Sequence, residues 1–201
     1  MLRGRFRDPL VGRDILIGGL LGTSFGLLQH LDDFASFFTP IALANPIGVD
    51  WPSLASLPYA TGLVLDYTIH SLMRVMEGTF VLLLLRLVLR NIWIAGAAFV
   101  LLIGLMEGVP GSDTPIVSWT QVVLIVAVIL FVIVRYGLVA TAVGFYIGDI
   151  LERVVLPDSL SAWYAPQGLL PLAAVLALLL YGFHIALAGQ PVFAFGKLLE
   201  E

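Results

Sequence analysis

Val81-Leu82-Leu83-Leu84-Leu85-Arg86-Leu87-Val88-Leu89-Arg90 is followed at once by Asn91-Ile92-Trp93-Ile94-Ala95-Gly96-Ala97-Ala98-Phe99-Val100, and this stretch decides the fold. Two apolar runs meet at Arg90-Asn91 with room only for a tight turn. In hydrocarbon every backbone N–H and C=O must be satisfied internally, so such runs form helices. The turn makes them antiparallel neighbours with a basic shared end. Arginine and lysine are retained on the cytoplasmic side during insertion, which assigns that end to the cytoplasm.

The same alternation runs outward through the whole chain. Of the ten basic residues, eight (Arg3, Arg5, Arg7, Arg13, Arg86, Arg90, Arg135 and Lys197) sit at segment ends on that side. Asp32, Asp33, Asp50, Glu107, Asp113, Asp149, Glu152 and Asp158 sit at the opposite ends. The pattern predicts an all-α, polytopic transmembrane helical bundle in the bacterial inner membrane, with both termini cytoplasmic. Residues 1–201 form one integral membrane domain of about six helices, at approximately 15–31, 63–89, 92–106, 119–134, 136–156 and 168–188. Each is near the roughly 20 residues that cross about 30 Å of hydrocarbon. Trp93, Trp119, Trp163 and Tyr164 fall near segment ends, where amphipathic rings prefer the headgroup level.

Composition agrees. The 201 residues are 60% hydrophobic and 12% charged, with mean hydropathy +1.02; soluble domains average about 45–50% apolar and about 25% charged. The net charge of −4 and the lack of a broad basic face give no reason to expect nucleic acid. Cysteine is absent, which excludes disulfides, thiolate metal sites and cysteine nucleophiles. After Arg13 the apolar stretch leads into Gln29, His30, Asp32 and Asp33 without a small-residue cleavage pattern, so it reads as a retained first helix. The long connection from Asp32 to Gly62 holds Pro40, Pro46, Pro52 and Pro58 yet is strongly apolar. It is expected to lie at the interface or over the bundle.

Three constellations could carry function. Gly18, Gly22 and Gly26 form a double G-x-x-x-G ladder on helix one, and Ala140, Gly144 and Gly148 repeat the idea on helix five. Small residues four apart let another backbone approach closely; packing inside the bundle is favoured over docking to a partner. Asp66, His70, Arg74 and Glu77 on helix two fall within roughly 80° of one face. Arg74 lies twelve residues before Arg86, roughly 18 Å along the axis. It is expected to pair with Glu77, either as a structural ion pair that orients helix two, with Asp66 and His70 at the outer interface, or as part of a proton or ion path or a ligand pocket. His30, His70 and His184 could in principle ligate heme iron or chlorophyll magnesium; their unmatched depths favour a plain polar role, and no cofactor is predicted. H-E-x-x-H, G-x-S-x-G, P-loop and G-x-G-x-x-G patterns are missing, so no enzyme is expected.

Gly4-Arg5-Phe6-Arg7-Asp8-Pro9-Leu10-Val11-Gly12-Arg13-Asp14 opens the chain. Leu160-Ser161-Ala162-Trp163-Tyr164, Tyr181-Gly182-Phe183, Leu187-Ala188-Gly189-Gln190-Pro191-Val192-Phe193 and Leu198-Leu199-Glu200-Glu201 close it. Both ends resemble the C-terminal multi-helix membrane region of bacterial, acidobacterial-type serine/threonine protein kinases. The resemblance implies a membrane region that follows a cytoplasmic kinase domain. Met1 directly precedes the shared run, so the expectation here is that region without the kinase. The leading expectation is a non-catalytic subunit, embedded in the lipid bilayer, that packs against other membrane protein subunits. The alternatives are a small transporter or channel using the helix-two stripe, and a cofactor-bearing subunit of a respiratory or photosynthetic complex.

Overall fold

A computed structural model describes residues 8–29, 54–106, 115–154, 157, 159 and 161–187. Among them are six α-helices and no strand: α1 (Pro9–Gln29), α2 (Leu57–Leu89), α3 (Ile92–Met106), α4 (Pro115–Arg135), α5 (Leu138–Arg153) and α6 (Ala165–Ala186). Three are long and apolar enough to cross a membrane, over Pro9–Leu28, Ile116–Arg135 and Ala165–Ala186. The remaining three depart from that rule for visible reasons. The 33 residues of α2 rise about 50 Å but carry Asp66, Arg74, Glu77 and Arg86. The 15 residues of α3 rise only about 22 Å, and α5 ends in Asp149, Glu152 and Arg153.

Local chemistry sets the helix ends. Pro58, expected in a connection, stands in the first turn of α2, and Pro166 holds the same place in α6. A missing N–H costs nothing there, and the fixed φ suits helix entry. That is why α2 begins at Leu57 and not near residue 63. The α2–α3 hairpin turns on Arg90 at φ 54°, whose N–H donates to Arg86 O at 3.0 Å. Asn91 Oδ1 then accepts the Trp93 N–H at 2.9 Å, capping an orphan donor of α3. The α4–α5 turn uses Gly137 at φ 91°, a conformation free of strain only without a Cβ.

Helix α1 packs against α5 and α6, and α2 packs across the same pair at its N-terminal half and against α3. Helix α4 bridges α3 to α1 and α5. Ile147, Ile150, Val126 and Thr141 are fully buried. The first half of α1, the α2–α3 turn and the α4–α5 turn lie at one end of the bundle. Arg13 of α1 stands over the Tyr136 ring at 5.9 Å, and Gly96 of α3 faces Leu130 of α4. Arg13, Arg90 and Arg135 therefore share that end.

Candidate functional site

An ion pair joins α2 to α5. Arg74 Nη1 donates to Asp149 Oδ1 at 3.0 Å and to Oδ2 at 3.3 Å. The Asp149 side chain is 6% exposed and Arg74 47%. The Arg74 guanidinium also lies 5.4 Å from the Phe145 ring centre, one turn before Asp149, and Phe145 tilts against Phe25 of α1 at 5.4 Å. A buried carboxylate, a cation reaching inward and an aromatic face thus tie three helices together.

This corrects the expected pairing of Arg74 with Glu77. Glu77 is exposed on α2 and none of the described residues offers it an ion pair. Asp149 was assigned to an outer segment end; it lies instead within α5, buried beside Ile147 and Ile150. The reason is helical phase. Asp149 follows the small face of Gly144 and Gly148, which draws α5 into the centre of the bundle and carries the carboxylate inward with it.

The other stripe residues stay outside. His70 Nδ1 lies 3.2 Å from Asp66 Oδ1 one turn earlier, with side chains 59% and 60% exposed, and 3.0 Å from the Asp66 carbonyl oxygen. The structure therefore brings only Arg74 of the stripe into the bundle.

The glycine ladders face one another. A Cβ built on Gly22 would stand 2.7 Å from Ile147 Cβ and 2.8 Å from the Gly144 carbonyl oxygen. One built on Gly18 would stand 2.6 Å from the Ala140 carbonyl oxygen. Gly144 meets Leu21, Gly148 meets Phe25 at 3.2 Å, and Gly26 meets Leu151 at 3.5 Å. Both ladders are therefore spent on the α1–α5 contact.

His30 lies outside the described residues. His184 is exposed in the last turn of α6, toward the basic end, whereas His70 lies in the first half of α2. Among the described residues no three His, Asp or Glu side chains gather as metal ligands. A groove of about 470 Å³ opens between α2, α5 and α6, lined by Ser71, Leu72, Val143, Tyr146 and Leu178 among others. Thr68 and Tyr146 are hydrogen-bonded beside it. Sequence reading did not find this groove, because its walls are ordinary apolar helix faces.

No family model, curated protein or solved structure matches the chain.

Proposed function

We propose that this chain is a non-catalytic, multi-pass subunit of a larger complex in the bacterial inner membrane, with six helices in the bilayer and both termini cytoplasmic. The observation that carries this reading is the outward exposure of Asp66, His70 and Glu77 on α2. A transporter would line an enclosed path with these groups; here they stand on the outside of the bundle. Ionisable side chains facing hydrocarbon are costly, so such a face calls for cover by protein. The resemblance of the chain ends to kinase membrane regions supports the same direction, a membrane module that works through what it is attached to.

The glycine ladders lend no support, since α1 and α5 use them on each other. A second reading, a small transporter, rests on the Arg74–Asp149 pair between α2 and α5, in which a buried carboxylate meets a half-exposed guanidinium.

The test is purification from the native membrane in mild detergent, with mass spectrometry and an absorption spectrum of the intact particle. A subunit co-purifies with other membrane polypeptides at fixed stoichiometry. A colourless particle of this chain alone would overturn the subunit reading and leave transport. An absorption band lost on His70→Leu or His184→Leu would instead favour a cofactor-bearing role.

A further inference from the structure

Ile69, Met73, Met76, Phe80, Leu83 and Leu87 follow one another along α2 at alternating steps of four and three. That is the a/d spacing of a coiled-coil seam. All six are exposed, from 53% at Ile69 to 75% at Leu87, so no described helix of this chain fills the seam. His70 and Glu77 border it at the e positions.

Exposed methionine and phenylalanine alone need no partner in a membrane, because lipid covers them. Glu77 is different. It lies nine residues before Arg86, about 14 Å of helix rise, and Arg74 is committed to Asp149. A lone charge near the bilayer centre costs about 2.5–3.5 kcal/mol on insertion scales. Polar side chains of this kind hold membrane helices together, and methionine adapts to the surface it meets.

Charge complementarity decides what covers the seam. A second copy, inserted in the same orientation, would present a parallel α2. In a parallel pair the e position faces a g position of the other helix, and for Glu77 that position is Leu72. A second copy therefore leaves the carboxylate unpaired. We propose that the outward face of α2 docks a transmembrane helix of a different subunit, which presents a lysine or arginine to Glu77. The proposal rests on the subunit reading above and adds to it the face and the chemistry of contact.

A photo-reactive benzoylphenylalanine at Met76, in the full chain in its native membrane, tests it, with the exposed Leu180 on α6 as the control position. The expected result is a cross-link from Met76, and not from Leu180, to one transmembrane segment of one polypeptide that carries a lysine or arginine. Glu77→Lys should lower the yield about tenfold, the equivalent of ~1.4 kcal/mol. Reversing the partner's basic residue to glutamate should restore it. Glu77→Gln, which adds no charge, should also lower the yield while leaving the isolated chain's elution profile unchanged. Cross-links only to lipid, to a second copy, or to a segment without a cation would overturn the proposal. A fixed-stoichiometry partner that cross-links elsewhere would overturn this face and keep the subunit reading; no co-purifying partner would remove both.

Discussion

Gly22 and Gly26 sit one turn apart on α1, yet substitution at the two should differ sharply. A Cβ at Gly22 would meet Ile147 and the Gly144 carbonyl oxygen at 2.7 and 2.8 Å, whereas one at Gly26 finds Leu151 at an ordinary 3.5 Å. Gly22→Leu should therefore force α1 off α5, and overpacking of this kind costs typically about 1–3 kcal/mol. Gly26→Ala should be close to neutral. Thermal unfolding in detergent, followed by fluorescence-detected size exclusion, compares them. Equal midpoints would show that the two backbones do not approach as closely as described. The spacing of Gly18, Gly22 and Gly26 made a packing face legible in the sequence, because glycine at every fourth residue has few other uses in a lipid-embedded helix. Its partner was legible only as a second small-residue ladder, with nothing in the spacing to say that the two ladders meet.

At the scale of the elements, the Arg74–Asp149 pair fixes how α2 lies on α5. Removing one partner of a fully buried pair leaves an uncompensated charge and costs about 3–5 kcal/mol; with Arg74 half-exposed the cost here falls below that range. Asp149 is the more deeply buried partner, so Arg74→Ala should destabilise more than Asp149→Asn, which leaves a half-exposed arginine. Arg74→Ala combined with Asp149→Asn should recover much of the loss. In the same assay Glu77→Gln should leave the isolated chain unchanged. If the double variant proves as unstable as the sum of the singles, the pair does not act as a unit. The sequence placed Arg74 in the middle of α2 but pointed to the wrong partner. A carboxylate one turn away on the same helix looked sufficient, and Asp149 sat among Glu152 and Asp158, which read as a polar segment end. The signal for Asp149 was nonetheless present. A fifth helix read as 136–156 already places it well inside the segment, on a helix whose glycines mark it for close packing.

Across the whole molecule, hydropathy foretold the helical architecture because it acts locally: a long apolar run leaves its backbone polar groups to pair with one another, which a helix does, and the described helices follow those runs. The antiparallel pairing of α2 with α3 followed from the tight turn at Arg90-Asn91. What lies against α2 on its outer side could not be read this way, since the described helices leave Asp66, His70 and Glu77 uncovered. Membrane-embedded protein, lipid and water give different collision partners to a nitroxide attached at position 76. The chain has no cysteine, so Met76→Cys gives a single labelling site. In native membranes the spin label should collide little with either oxygen or a water-soluble nickel chelate, and oxygen collisions should rise once the chain is purified alone and returned to vesicles. High oxygen accessibility in the native membrane would show that lipid covers this face, and high nickel accessibility that water does; either contradicts a subunit held through α2.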